Sequence, residues 1–207
     1  MSRIKDSGNR TEYGTGAVRD ARVGKGRVDL MPLSVVNKVL NKATDDAKYF
    51  GFKDCDFTIS EAREKLKHDL TMTCLESFIY RGDTDNLVMA IYYTIVFNDI
   101  YIAEYLSSAK EMEVKVTNND IPVKQLIADT MRVCSIHFEN GTLKYGERNW
   151  EKGIDLHAFI DSAGRHYLKL VAGFDDEPHH LATIWNMMCA VWTYNNLPKM
   201  NDLPCKK

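Results

Sequence analysis

Two adjacent segments near the carboxyl end of the chain combine residues that could bind a metal ion and a phosphate. In a predicted helix over residues 155–172, Asp161 and Arg165 are four residues apart and share a face, and Ser162 and His166 share the neighbouring face. A carboxylate, a guanidinium and an imidazole this close together are costly to bury unless they pair or bind a charged group. An exposed Asp–Arg pair of little energetic value is the alternative that this helix leaves open.

The start of the next predicted helix adds acids and further histidines. Residues 175–177 are all acidic, and His179 and His180 follow, so that Asp176 and Glu177 lie four and three residues before His180. Three neighbouring acids repel one another, and a bound divalent cation would relieve that repulsion. Oxygen-rich ligation favours Mg²⁺ or Mn²⁺ over zinc. Acids also favour helix N-termini because of the helix dipole alone, and this second interpretation remains open.

A third segment, KYGERNWEKG over residues 144–153, mixes cations, an aromatic side chain and glycines. This composition suits recognition of a phosphate and a base, although a charged loop anchored by Trp150 would have the same composition. Glu139, just before it, is a further possible metal ligand. Asn186 lies two turns after His179, where its amide could contact a ligand or cap a buried polar group.

These segments must be positioned by helices. Apolar residues recur with helical spacing in Leu33, Val36, Leu40 and Ala43, together with Val39 and Ala47, and Pro32 suits the first turn of that helix. Further helices are predicted from Ser60 to Tyr80, from Thr84 to Leu106, from Val123 to His137, over 155–172, and from the acidic start at 175–178 to about Tyr194. A short strand is predicted only in the VKV at 114–116. Six helices predict an all-α fold.

The pattern also predicts four regions and a possible internal repeat. The regions are a Gly- and Arg-rich arm (1–31), a helical scaffold or insert (32–122), a catalytic helical core (123–197) and a tail (198–207). A shift of 91 residues places Leu75–Gly82 over His166–Gly173, with Leu70, Cys74 and Leu75 where the second copy has Asp161, Arg165 and His166. The first copy would then be a scaffold without the polar residues, and chance agreement of two helical patterns is the alternative.

The composition excludes several classes of protein. With 44% apolar and 27% charged residues, the chain has the composition of a soluble globular protein, and a net charge of −2 gives no reason to expect nucleic-acid binding. Five scattered cysteines without a CxxC pair indicate reduced thiols and no zinc site. Without a signal peptide or a membrane-spanning segment, the expected location is the cytoplasm, including that of a phage-infected bacterial cell.

Four motifs in a fixed order carry a family resemblance. Tyr145-Gly-Glu-Arg-Asn-Trp-Glu-Lys-Gly153 is followed by Asp161-Ser-Ala-x-Arg165-His166, then by Gly173-x-Asp-Asp-Glu177, then by His180-Leu-Ala-x-x-Trp185-Asn186. This order resembles the core of dATP/dGTP diphosphohydrolases, which are all-α, MazG-related pyrophosphohydrolases of phages and bacteria with MazZ as one branch. Gly16–Asp20 and Gly24–Leu30 resemble the opening signature of that family. The chain departs from the family in two ways. About ninety residues separate the opening signature from the KYGERNWE segment, whereas family members have a short connection there. The MazG pattern, ExxE in one helix and ExxD in another, is not literally present.

The resemblance implies a MazG-like helical bundle and a Mg²⁺- or Mn²⁺-dependent cleavage of a purine (deoxy)nucleoside triphosphate such as dATP or dGTP into a monophosphate and pyrophosphate. The implied catalytic residues are Glu139, Asp161 and Glu177. The implied metal ligands are Glu139, Asp161, Asp176, Glu177 and His180. The implied substrate-binding residues are Arg19, Lys25, Arg27, Lys144, Tyr145, Arg148, Asn149, Trp150, Arg165 and Asn186. A homo-oligomer, dimer or tetramer, is expected, with no nucleic-acid or membrane partner.

Three other functions remain compatible with the sequence. The same fold could bind and sequester a nucleotide without cleaving it. A phosphohydrolase using the Asp175–His180 cluster could instead remove the whole triphosphate. The polar clusters could also be surface residues of a structural helical protein.

Overall fold

A computed structural model describes residues 10–20, 25–52, 57–100, 102 and 121–206. Within this part of the chain seven α-helices form, and they confirm the all-α prediction. The helices are α1 (Leu33–Phe50), α2 (Ile59–Leu66), α3 (Thr71–Arg81), α4 (Thr84–Phe97), α5 (Val123–Tyr145), α6 (Leu156–Val171) and α7 (His179–Asn196). Short 3-10 helices cover Val28–Leu30, Asn149–Lys152 and Pro198–Met200.

The arm contains a small antiparallel hairpin where a loop was expected. Strand β1 (Arg10–Glu12) pairs with β2 (Val18–Asp20), with Thr11 opposite Arg19. The Tyr13 N–H donates to Ala17 O over 2.9 Å and closes the connection. The strand predicted at 114–116 lies outside the described residues.

The single helix predicted from Ser60 to Tyr80 was wrong, because local hydrogen bonds divide it. Thr58, not Ser60, is the N-cap of α2, and its side chain and that of Glu61 form a reciprocal capping box. Lys67 then adopts a positive φ of 68° and ends the helix. The Asp69 carboxylate accepts hydrogen bonds from the N–H and hydroxyl of Thr71 and so starts α3.

Other predicted boundaries differ by one or more turns. Helix α4 ends at Phe97 rather than at Leu106, although residues 103–106 lie outside the described part. Helix α5 continues to Tyr145, beyond the predicted end at His137, and takes in the first residues of the segment predicted to be irregular. The last helix starts as predicted after residues 175–178, with Pro178 as its N-cap.

The core lies between α4 and α7, which are buried on most of their surface. Helix α4 packs against α1, α2, α3, α5 and α7, and α7 packs against α1, α4, α5 and α6. On α1 the buried stripe is Val35, Val39, Ala43 and Ala47, whereas Leu33, which the pattern placed in it, is 51% exposed. Val39, Ala43 and Ala47 thus lie in the buried stripe as predicted, whereas Leu33 does not. None of the described helices is both long and apolar enough for a bilayer span.

Two helical hairpins pack against each other and supply much of this core. In the first, α3 and α4 are joined at Gly82; in the second, α6 and α7 are joined by residues 172–178. Their inner helices α4 and α7 pack together, and their outer helices α3 and α6 also meet. The Tyr167 hydroxyl on α6 donates to Asp69 Oδ2 over 2.6 Å at the start of α3. The first hairpin contains Leu75–Gly82 and the second His166–Gly173, the two segments aligned in the sequence.

Candidate functional site

A pocket open to solvent lies between the C-terminal half of α5, the turn after it and α7. It is lined chiefly by Phe138, Tyr145, Arg148, Asn149, Trp150 and Trp185. Four of these, Tyr145, Arg148, Asn149 and Trp150, belong to the segment that the sequence predicted to contact the substrate. The pocket walls are therefore mainly aromatic, with a guanidinium and an amide at the rim, as in many small-molecule sites.

The aromatic rings hold one another in place. The Phe138 ring lies 6.0 Å from Trp150 and 5.8 Å from Trp185, measured between ring centroids, and Trp150 meets Trp192 edge to face at 4.9 Å. Trp150 is buried, and its Nε1 has no hydrogen-bond partner among the described residues. An unpaired indole N–H is costly to bury, and a ligand acceptor that reached it would relieve that cost.

The arm crosses α5 close to this pocket. The Gly26 N–H donates to Glu139 Oε2 over 2.9 Å, and the Arg27 N–H donates to Ser135 O over 3.1 Å. Gly26 has a φ of 83°, and a Cβ on it would lie 2.0 Å from Ser135 Oγ. Only glycine allows the arm to approach the helix this closely.

The predicted phosphate-binding arginines of this region are held in ion pairs. Arg27 binds Asp29 at 2.7 Å and Glu147 at 2.8 Å, and these hydrogen bonds raise its pKa well above the usual range. Arg148 pairs with Glu151 and donates to Asp29 O over 2.6 Å. The two side chains therefore join the arm to the turn after α5. Arg19, in β2, and Lys25, next to Gly26, are both exposed.

A second cluster lies where α6 and α7 face each other across their connection. His166 Nδ1 lies 3.0 Å from His179 Nδ1. Glu177 Oε1 lies 3.3 Å from His166 Nδ1 and 3.6 Å from His179 Nδ1. The three atoms form a compact triangle of two nitrogens and one oxygen, which we call the His–Glu–His triangle (His166, Glu177 and His179).

Asp176 fixes the orientation of one histidine in the triangle. Its carboxylate lies 2.8 Å from His179 Nε2 and 2.8 Å from Lys169 Nζ. The hydrogen bonds from Lys169 and then from His179 lower the pKa of Asp176 to about 2, so the carboxylate is ionised and can only accept. His179 Nε2 therefore carries a proton, and in the neutral ring the lone pair belongs to Nδ1, inside the triangle.

The surroundings keep the nearby imidazoles uncharged. Burial lowers the pKa of His166 and, against the opposing effect of Glu177, leaves it below the usual value. Burial is also the main cause that lowers the pKa of His137. For His180, burial and then the neighbouring His137 and His179 lower the pKa to about 4. Neutral imidazole is the form that can ligate a metal ion.

The other predicted ligands lie outside the triangle. Asp161 and Arg165 pair with each other over 2.9 Å, and both side chains are 64% exposed, which is the surface pair that the sequence left open. Glu139 is hydrogen-bonded to the arm, and the buried His180 does not belong to any donor group found among the described residues. Asn186 is buried, with its amide donating to Ala182 O over 2.8 Å. The roles predicted for these residues remain predictions.

His137 and Lys144 lie between the pocket and the triangle. The His137 ring is 6.3 Å from Trp185, a pocket residue, and its pKa responds to the charges of Glu177 and His166. The pKa of Lys144 is raised, first by a hydrogen bond with Tyr145 and to a smaller extent by the charge of Glu177. Along α7, His179 and Trp185 are separated by about 9 Å of helix rise. His137 and Lys144 therefore connect the two features across the C-terminal half of α5.

The sequence argument did not assign His166 and His179 as ligands. In an antiparallel hairpin the last turns of the first helix face the first turn of the second, so His166 and His179 could have been paired from their positions. The choice between His179 and His180, however, depends on the rotation of α7 about its axis, which the pattern does not give. Sequence reasoning placed Trp185 in the last family motif, without a role at the site, and the structure places it in the pocket wall.

Comparison with known proteins agrees with the family resemblance. A family model described as dATP/dGTP diphosphohydrolase, N-terminal, matches residues 110–203, somewhat less than half of the chain. No curated protein and no solved structure matches the chain. The match includes all of α5–α7, the pocket residues of these helices and the whole His–Glu–His triangle. Residues 110–203 are therefore similar to the family of the dATP/dGTP diphosphohydrolase N-terminal domain.

Proposed function

We propose that the chain is a metal-dependent diphosphohydrolase that cleaves a purine deoxynucleoside triphosphate such as dATP or dGTP into a monophosphate and pyrophosphate. One observation carries the proposal: the family match at 110–203 contains both an aromatic pocket and a cluster of possible metal-binding atoms, and His137 on α5 lies between them. A pocket for a base and a centre for phosphate chemistry are the two parts that such an enzyme requires.

The pocket is the proposed site of the purine base. A planar base gains stacking energy from aromatic side chains, on the order of 1–3 kcal/mol per base. Tyr145 forms the exposed part of the wall and Trp150 the buried part. The Asn149 amide offers both a donor and an acceptor to a base edge, and the buried Trp150 Nε1 offers a donor.

The triphosphate is proposed to extend from this pocket towards the His–Glu–His triangle. Lys144 lies at the end of α5, close enough to Glu177 for the charge of one to affect the other. Its exposed ammonium group can bind phosphate oxygens without first breaking an ion pair to a carboxylate in the described residues. Arg148 and Arg27, by contrast, would have to exchange an existing partner for a phosphate.

A bound divalent ion such as Mn²⁺ or Mg²⁺ would supply charge neutralisation at the phosphate and a lowered pKa of the attacking water. The residues of the chain position and enclose the reactants. Glu177 places a carboxylate beside the phosphate path, Asp176 holds His179 in one tautomer, and the arm is joined to the pocket rim through Arg27. Each of these groups is fixed before substrate arrives, which lowers the reorganisation cost of the reaction.

The direct test is incubation of the purified full chain with dATP, dGTP and the other common nucleotides in the presence of Mn²⁺ or Mg²⁺. We expect monophosphate and pyrophosphate. Tyr145→Ala should raise the KM through loss of the pocket wall, whereas Tyr80→Ala removes an equally exposed tyrosine on α3, outside the pocket, and should leave kinetics unchanged. Both variants keep the core intact because both side chains are on the surface.

Other outcomes assign other functions. A folded sample that releases no product from any nucleotide refutes the enzyme. Calorimetric binding without product would instead indicate a nucleotide-sequestering protein, and tripolyphosphate would indicate a phosphohydrolase of a different type. The expected dimer or tetramer is a separate proposal, and light scattering of the purified chain tests it.

A further inference from the structure

We propose that His166, Glu177 and His179 bind one transition-metal ion and that this site prefers Zn²⁺ or Co²⁺ to Mn²⁺, and Mn²⁺ to Mg²⁺. The inference deepens the proposed function and rests on it for the role of the ion. It also differs from the sequence-based expectation of an oxygen-rich magnesium site, because two of the three clustered donors are imidazole nitrogens.

The first argument is the number of protons available in the triangle. Glu177 Oε1 can only accept when ionised, and His179 Nδ1 carries the lone pair because its Nε2–H faces Asp176. His166 Nδ1 carries at most one hydrogen and so offers at most one N–H to two acceptors, at 3.0 Å and 3.3 Å. One proton cannot form two good hydrogen bonds from a single ring nitrogen. A cation that accepts all three lone pairs satisfies the three atoms together.

The second argument is the size of the triangle. A point equidistant from three atoms with the observed separations of 3.0, 3.3 and 3.6 Å lies about 1.9 Å from each of them. Zn–N and Zn–O bonds are about 2.0–2.2 Å long, so an ion slightly above the plane of the triangle reaches all three donors without movement of the backbone.

The third argument is the way in which the ligands are held. Ligating histidines usually donate their second ring N–H to a carboxylate, and such partners improve both the orientation and the basicity of the ligand. Asp176 occupies this position for His179, at 2.8 Å, and is itself held by Lys169. His179 is 1% exposed, whereas the Glu177 side chain is 44% exposed. The site is therefore rigid on one side and open to solvent on the other, as catalytic metal sites with a free coordination position are.

The donor types decide the metal preference. Mg²⁺ favours oxygen ligands in octahedral geometry and keeps several waters, while imidazole suits zinc and its neighbours. For a given mixed site, affinity generally rises from Mn²⁺ through Co²⁺ to Cu²⁺. Of the two possible donor groups in the described residues, the other one, formed by Asp155, His157 and Asp202, has one nitrogen and three exposed residues. Asp155 and His157 lie at the start of α6, so that group is a natural control.

The test titrates Co²⁺ into the chelator-treated full chain without nucleotide and follows the visible absorption of the bound ion. We expect one Co²⁺ per chain, displaced by Zn²⁺ but not by a hundredfold excess of Mg²⁺. His166→Gln and Glu177→Gln should each weaken Co²⁺ binding by at least about 100-fold, and Asp176→Asn by roughly 10–100-fold, the range for groups that orient a ligand. His157→Gln, in the control group, should leave binding unchanged.

The proposal is overturned if the wild-type chain binds no Co²⁺, if Mg²⁺ displaces it as readily as Zn²⁺ does, or if His157→Gln abolishes binding while His166→Gln does not. Circular dichroism establishes that each variant is folded, and the exposed Glu177→Gln provides the test if a histidine variant is not. Metal binding without nucleotide cleavage would refute the proposed function and keep this site. Nucleotide cleavage that depends on Mg²⁺ and is unchanged in His166→Gln would support the proposed function and refute this metal site.

Discussion

The hairpins α3–α4 and α6–α7 follow the same backbone plan with different side chains. Gly82 and Gly173, 91 positions apart, both follow the first helix in the left-handed conformation, with φ of 68° and 77°. A Cβ on Gly82 would lie 2.3 Å from the Tyr194 hydroxyl, so space as well as conformation requires glycine there. The equivalence extends to the inner helices, where Leu87 and Leu181 are both buried.

The connections after these glycines explain why only one hairpin has a donor cluster. Two residues, Gly82 and Asp83, join α3 to α4, and Asp83 is used as the N-cap that accepts from the Asp85 N–H over 3.0 Å. Seven residues, 172–178, join α6 to α7, and the N-cap there is Pro178, which makes no side-chain hydrogen bond. The longer connection leaves its acids free of capping, and they contact histidines and a lysine instead.

The outer helices show the same contrast, with an apolar residue on α3 where α6 has a polar one. Leu75 on α3 is 3% exposed and belongs to the core, whereas its counterpart His166 on α6 points at His179. The comparison teaches that one backbone plan can be stabilised by apolar packing in one copy and can hold polar chemistry in the other. Variants at equivalent positions can break or sharpen that contrast.

The largest effect on stability is expected in the first hairpin. Leu75→Ala should lower the free energy of unfolding by about 2–5 kcal/mol, because it removes a buried side chain and leaves a cavity. His166→Ala, at the equivalent position, should lower it by less than about 1 kcal/mol, since a half-buried group with one neutral hydrogen bond contributes little. Urea denaturation of both variants measures the difference. Equal losses would show that the two positions have the same structural role.

The acids of the two connections should differ most in activity. Glu177→Ala is expected to reduce kcat/KM at least about 100-fold, because even groups that only orient a metal ligand cost 10–100-fold when removed. Asp83→Ala, in the other connection, should leave kcat/KM within about twofold. Steady-state kinetics with the preferred nucleotide gives both numbers. Comparable activity of the two variants would remove Glu177 from the proposed site.

For stability we expect the opposite contrast: a substitution in the first connection should destabilise the fold, and one in the second should not. Asp83→Ala removes a helix N-cap and should cost about 1 kcal/mol of unfolding free energy. Asp175→Ala, which removes an exposed acid that makes no capping hydrogen bond, should leave the urea midpoint of the metal-free protein unchanged. A large shift of that midpoint would mean that the second connection is structural rather than functional.

The smallest expected effect concerns the exposed pair of His157 and Asp202 at the other end of α6. The hydrogen bond that the His157 ring donates to the Asp202 carboxylate raises the pKa of His157 above its usual 6.5. A histidine with a raised pKa stabilises the folded state below the unfolded pKa, and this contribution is lost as the pH rises through the folded value. His157→Gln should therefore lower Tm slightly at about pH 5.5 and not at about pH 8.5. A difference that is larger at the alkaline pH would contradict the assignment.

The sequence alone predicted the features that depend on interactions between residues close together in the chain, and it did not predict those that depend on distant residues. Helical periodicity, glycines and proline gave the all-α class and the start of α7, because these are local preferences. Periodicity did not show where one helix ends and the next begins. The Thr58–Glu61 capping box starts α2 and the Asp69–Thr71 hydrogen bond starts α3, so a segment that periodicity treated as one helix forms two. The extent of α5 was also underestimated, because its last two turns pack on the arm and the pocket rather than showing a clear pattern.

For the site, the sequence by itself determined the residue types and their neighbourhood: the acids at 175–177, the paired histidines after them and the aromatic segment after α5. Only the tertiary structure decided which of them meet. Successive residues of a helix point about 100° apart, so the rotation of α7 sends His179 towards His166 and leaves His180 among buried neighbours. That rotation is set by the packing of α7 against α4, α5 and α6, which involves residues far apart in the chain.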